Sequence, residues 1–170
     1  VDSRNLSTGH GLVVLEAVRL AESGMEPKKI VETLNELTAR VRASFILDRL
    51  EYMKKGGRCS AVAMLGANLL KLRPCIQVKD GKMGVEKKYR GSFERCIRDY
   101  ITDRLADRDD IEDGLVFISS CQPKPGCMEA VKAGLKKYGH FKECWETDIG
   151  TTIGGSSGPG TIGIVFARKQ

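Results

Sequence analysis

Aromatic side chains make up only 6% of the 170 residues, and there is a single tryptophan. A strip of rings for stacking unpaired bases is therefore absent, and no zinc-finger spacing or RNP-like motif takes its place. Nucleic acid is not an expected partner. Histidine is scarcer still, with only His10 and His140, too few for a histidine-based triad and poorly supplied for a metal. Cys121 and Cys127 in CQPKPGC have a spacing unusual for a zinc knuckle and lack two obvious co-ligands. A nucleophile elbow, a Walker loop and paired catalytic carboxylates are also missing, so neither an enzyme nor a cofactor is expected. The longest apolar run, AVAMLGANLL at 61–70, falls well short of the roughly 20 residues that span a bilayer. No membrane span is expected. Charges from Arg4 to Lys29 break up any signal-peptide core, so secretion is not indicated.

What is present suits a folded domain. Hydrophobic residues make up 41% and charged residues 29%, enough to bury a core without disulfides. The six cysteines lack paired close spacing and lie in core-like segments, which reads as reduced thiols and a cytoplasmic location. The formal charge of +6 is concentrated in the middle. From Arg40 to Arg98 there are fifteen Lys or Arg against five acids, while each flank is slightly acidic. Such a field attracts an anionic partner, although a solvated basic face has the same composition.

Periodicity gives the elements. GLVVLEAVRLAESG at 11–24 carries Leu12, Leu15, Val18 and Leu20 at helical spacing and stops at Gly24. Pro27 opens a second helix with a stripe of Ile30, Val31, Leu34, Leu37 and Val41. A strand is expected over 43–48, a brief helix over 48–57, and a third helix over 60–71 capped by Ser60. The pair Asp80-Gly81 between two strand-like runs predicts a hairpin over 74–90. A helix over 92–107 capped by Ser92, an acidic loop, a strand over 114–120, a helix ending at Gly139, a strand over 141–150 and a last strand, TIGIVFA, complete the chain. Strands and helices alternate, so the fold class is α/β with a mixed sheet that contains an antiparallel hairpin.

The stretch TTIGGSSGPG at 151–160 reads as a glycine-rich loop. It is either a site where a ligand approaches the backbone or a plain connection. Arg58, after two glycines, either swings toward an anion or serves as a cation at a helix C-terminus. Ser7 and Gly9 fit a helix cap. The apolar residues of 61–70 line either a tunnel or a core.

Several segments in order resemble one family. VDSRNLSTGHGLVVLEA at 1–17, FILDRLEYMKKGGRCS at 45–60, LLKLRPCIQVKDGKMGVEKKYRG at 69–91 and IGTTIGGSSGPGTIGIVF at 149–166 are similar to the DegV family of bacterial fatty acid binding proteins. The resemblance implies a long-chain fatty acid as ligand, held without catalysis and presented to a fatty acid kinase. It also implies that the chain is the later part of a longer protein. Residues 1–42 would be the helical end of a first domain and 43–170 the DegV-like second domain, while the carboxylate-reading Thr and Ser motifs of the first half have no counterpart here. In this frame Ser156, Ser157, Gly158, Gly160, Thr161 and Arg58 are the expected ligand contacts, and Arg90 the expected docking residue for the kinase. One position departs from the family pattern, because Ser156 stands where a histidine is common. A regulatory or interaction module that keeps the fold and has lost the ligand is the alternative.

Overall fold

The computed structural model describes residues 1–58 and 72–170. In chain order the elements are α1 (Ser7–Glu22), α2 (Pro27–Arg40), β1 (Val41–Ile46), α3 (Glu51–Lys55), β2 (Leu72–Lys79), β3 (Lys82–Arg90), α4 (Phe93–Leu105), β4 (Leu115–Ser120), α5 (Cys127–Tyr138), β5 (Glu143–Asp148), α6 (Thr151–Ser157) and β6 (Ile162–Ala167). The helix expected over 60–71 and its Ser60 cap lie outside the described residues.

Local signals account for several of these boundaries. Gly24 follows α1 at φ 79°, a conformation that costs glycine little. Pro27 occupies the first turn of α2, and the Glu26 carboxylate accepts the Lys29 N–H at 3.2 Å. The Ser92 hydroxyl accepts the Arg95 N–H at the start of α4. Asp80 and Gly81 both have positive φ, 51° and 76°, as a tight two-residue hairpin turn requires.

The six strands form one sheet in the order β3-β2-β1-β6-β4-β5. All neighbours are antiparallel except β4 and β5, which run parallel and are joined through α5. Helices cover both faces. On one, Phe93, Ile97, Ile101 and Leu105 of α4 and Val131 and Leu135 of α5 pack on Ile46, Ile118, Ile164 and Phe166. On the other, Leu12 and Val13 of α1 and Leu34 and Leu37 of α2 pack on Ala43, Val78, Phe117 and Val165. β4 and β6 are consequently buried along their whole length, which explains their unbroken apolar sequences.

Several expectations need correction. α1 starts at Ser7 rather than Gly11, and its cap position is Leu6, which makes no side-chain capping bond, so Ser7 is not the cap. Val18 and Val31 are 46% and 47% exposed, so the buried stripes of α1 and α2 are narrower than their apolar stripes. Val41 belongs to β1. Thr151–Ser157 is a helix and not a loop.

The two layers are tied together at Tyr100, which is fully buried on α4. Its hydroxyl donates to the Ser44 carbonyl at 2.8 Å and accepts the Ile164 N–H at 3.3 Å, with the Ser44 hydroxyl at 2.9 Å. One side chain thereby joins α4 to β1 and β6. Burial pushes its phenol pKa well above the ordinary value, so the group stays a neutral donor. Tyr100→Phe removes all three contacts and leaves the buried Ser44 hydroxyl short of a partner, and it is expected to lower the unfolding free energy by about 2 kcal/mol. Urea denaturation measures this, and a midpoint equal to that of the parent protein would show that the network adds nothing.

Candidate functional site

The hydroxyl-rich segment 151–161 folds over one end of the sheet. α6 lacks a side-chain cap, and its serines bond back along the helix: Ser157 Oγ donates to the Ile153 carbonyl at 2.9 Å, and Ser156 Oγ lies 3.5 Å from that of Thr152. Gly158 ends the helix at φ 81°, with its Cα face against Tyr52 of α3. A Cβ there would lie 2.3 Å from Tyr52 Cδ2, so only glycine fits both the backbone and the space.

Beneath α6 is an apolar cavity of about 50 Å³. Its walls include Leu6, Ala43, Phe45, Val78, Ile149, Ile153 and Val165, and its hydroxyl-bearing residues include Ser7, Thr8, Ser119, Ser157 and Thr161. Most of these hydroxyls are already linked. Thr8 Oγ1 and Ser119 Oγ are 2.8 Å apart, Ser119 Oγ and Thr147 Oγ1 are 3.1 Å apart, and Thr161 Oγ1 donates to the Ser157 carbonyl at 2.9 Å. A bonded hydroxyl keeps a lone pair, and it can turn its proton toward an incoming anion. Ser7 Oγ makes no hydrogen bond with the described residues.

The cavity sorts the residues expected from the sequence. Ser157 and Thr161 line it. Ser156 is half-buried against α3, where a Cβ on Gly56 would meet its Oγ at 2.9 Å. Gly158 and Gly160 shape the turn after α6, and the Gly160 N–H is committed to the Cys121 carbonyl at 2.7 Å. Arg58 is exposed and its guanidinium donates to the Gly56 carbonyl at 2.5 Å, the arrangement of a cation at a helix C-terminus. Arg90 is exposed at the end of β3, opposite Leu72. Among the described residues no cluster of three His, Cys, Asp or Glu side chains could hold a metal ion.

Sequence reasoning missed Thr8, Ser119 and Asp48. The pair Ser119-Ser120 at the end of an apolar strand was the available signal for the second. Asp48 is buried, with Arg73 Nε at 3.2 Å and Lys124 Nζ at 2.7 Å. Both cations also stand over the Phe93 ring, at 5.8 and 5.5 Å from its centroid. Gly160 packs against Asp48, where a Cβ would lie 2.9 Å from the Asp48 Cβ. The turn that follows α6 thus packs on a side chain held by two cations.

A family model described as "Uncharacterised protein, DegV family" matches residues 1–169. The chain belongs to the DegV family. It is 30% identical over 171 residues to a DegV domain-containing protein of Caldanaerobacter subterraneus subsp. tengcongensis, covering 99% of this chain and 60% of that protein. It is 32% identical to one from Clostridium acetobutylicum, covering 100% of this chain and 59% of that protein. The chain therefore spans about three fifths of the length of these curated relatives. Among solved structures, a DegV family protein from Thermus thermophilus superposes with a TM-score of 0.85 at 24% identity, over 99% of this chain and 60% of that one. DegV from Bacillus subtilis, described as a fatty acid binding protein, superposes with a TM-score of 0.77 at 25% identity, again over 99% and 60%. The mixed sheet and its packed helices are the DegV fold.

Two substitutions test the architecture above the cavity. Asp48→Asn removes the charge that Arg73 and Lys124 share and is expected to cost about 2 kcal/mol. Gly158→Ala meets both positive φ and the Tyr52 ring and is expected to cost more than about 1 kcal/mol, with part of the loss recovered in a Gly158→Ala, Tyr52→Ala double variant. Thermal unfolding of the set reads both, and no recovery in the double variant would mean that backbone strain alone sets the cost of Gly158→Ala.

Proposed function

We propose that this chain, within a full-length protein, forms part of a fatty-acid-binding site and acts as a carrier rather than a catalyst. The observation that carries the reading is the apolar cavity under α6 with hydroxyls of Ser7, Thr8, Ser157 and Thr161 along its lining. Apolar walls suit an acyl chain, and hydroxyls suit its carboxylate. Support also comes from the similarity to Bacillus subtilis DegV, described as a fatty acid binding protein. The preceding part of the full-length protein completes the cleft. In this reading Gly158 and Gly160 shape the turn, Ser156 lies at its margin, and Arg58 is a reserve cation near α6.

The carrier presents the carboxylate to a fatty acid kinase in the cytoplasm, with Arg90 in the docking surface. Its exposure at the end of an edge strand, within the basic middle of the chain, favours contact with an acidic partner. The second reading, a regulatory module without ligand, is favoured by one observation: most of the cavity hydroxyls already have internal partners.

Solvent extraction of the purified full-length protein followed by mass spectrometry separates the two. The carrier reading expects about one fatty acid per protein, and little or none in the isolated 170-residue chain. Ser157→Ala is expected to weaken binding of a fluorescent fatty acid about fivefold, the equivalent of one hydrogen bond. Arg90→Ala is expected to leave lipid content unchanged and to slow phosphorylation by the cognate kinase, with the difference shrinking as salt rises. A lipid-free full-length protein that binds no fatty acid on titration would favour the regulatory module.

A further inference from the structure

A second cavity, about 340 Å³ in volume, lies where β1 begins and β2 and β6 end. Its character is opposite to that of the first. Four cations, Arg4, Arg42, Lys79 and Arg168, contribute to its lining against two carboxylates, Asp80 and Glu86. Glu86 is already engaged by Arg104 of α4, which leaves Asp80 as the acid facing four positive groups.

The fold itself gathers these cations. β1 lies between β2 and β6, with Ala43 paired to Val78 and Arg42 to Phe166. Lys79 follows Val78 at the end of β2, and the Arg168 N–H bonds the Arg40 carbonyl at 3.0 Å just beyond β6. Strands in a sheet are about 4.8 Å apart, so the three residues stand within two strand spacings of one another. By the alternation of extended chain, Arg168 shares the face of Phe166 and Arg42.

Their charges are poorly compensated. Among the described residues the Arg42 guanidinium bonds only the Ala39 and Val41 carbonyls. Among the described residues Arg168 has one carboxylate partner, Asp110, at the long distance of 3.7 Å, and its buried Nε has no hydrogen-bond partner. Lys79 and the Arg4 side chain make no ion pair with the described residues. Burial, followed by repulsion from Arg168 and Arg108, lowers the pKa of Arg42. Crowded guanidinium groups with an unused donor suit the charge and bidentate geometry of a phosphate.

We propose that this cavity is a binding site for a small soluble phosphate-bearing anion, such as a phosphomonoester or inorganic phosphate, recognised by Arg42 and Arg168 and steered by Lys79 and Arg4. Its volume is in the range of small-ligand sites, about 300 to 1,000 Å³, and leaves room for a substituent beyond the phosphate. The site is independent of the fatty acid reading. Val78 lines both cavities, so fatty acid content serves as a control for damage across that wall.

The test is calorimetric titration of the full-length protein with inorganic phosphate and with pyrophosphate, using chloride at matched ionic strength as the control. Saturable binding at one site is expected, weakened about tenfold or more in Arg42→Gln. The exposed positions Lys79→Gln and Arg4→Gln are expected to weaken it a few-fold while leaving thermal stability and fatty acid content unchanged, and they keep the test valid if Arg42→Gln fails to fold. Absence of saturable binding for both probes overturns the proposal, as does binding equal to the parent protein's in Lys79→Gln and Arg4→Gln. Binding to vesicles that contain phosphatidic acid, without binding of either soluble probe, also overturns it and assigns the cations to a lipid headgroup.

Discussion

The architecture depends on one buried hydroxyl. Tyr100 Oη bonds a carbonyl and an N–H on two different central strands, whereas the other polar contacts of its helix with the sheet, at Asp103 and Arg104, reach only the edge strand β3. Apolar contacts are not directional, so they would allow α4 to slide along the sheet. A hydrogen-bonded phenol in a dry interior allows one position, because any displacement leaves polar atoms unpaired at a cost of about 1 to 3 kcal/mol each. With α4 fixed, Phe93 at its start is fixed as well, and Phe93 is the ring over which Arg73 and Lys124 reach Asp48. The turn after α6 rests on Asp48, so the cavity is placed relative to the sheet through this chain of contacts.

Charge is organised in a comparable way. The basic middle segment does not form one uniform face. Lys87 pairs with Asp103 at 2.5 Å, and Arg104 and Arg98 pair with Glu86 and Glu94. Burial alone would raise the Asp103 pKa, but hydrogen bonds from Lys87 and Tyr89 outweigh it and the net shift is downward. Many of the positive charges counted in the sequence are therefore already answered within the fold. Among the described residues, the charges left without a carboxylate partner include the exposed Arg58 after α3 and Arg90 at the end of β3, and Arg42 and Lys79 in the cluster where β1 begins.

Features with local causes were legible in the sequence. Asp80-Gly81 gave the hairpin, Pro27 the start of α2 and Ser92 the cap of α4, because each signal acts within four residues. The unbroken apolar runs of β4 and β6 gave buried strands. α6 was not legible. Its glycines and β-branched threonines disfavour helix, and what holds it is packing against α3, distant in sequence. Asp48 was equally hidden, since one acid beside an apolar run carries no mark of Arg73 and Lys124. Val18 and Val31 looked like core because periodicity shows which face is apolar and not how much of it is covered.

The weak intrinsic helicity of α6 has a kinetic consequence. Gly154 and Gly155 each cost about 1 kcal/mol relative to alanine in a helix interior, and a helix of seven residues has few bonds over which to spread that cost. Opening it breaks little of the sheet or of the two large apolar layers. The roof of the apolar cavity therefore belongs to the low-free-energy end of the spectrum of local unfolding, while the floor formed by β1 and β6 belongs to the high end. The cavity can then open at the rate at which α6 frays, with no separation of the layers that Tyr100 joins.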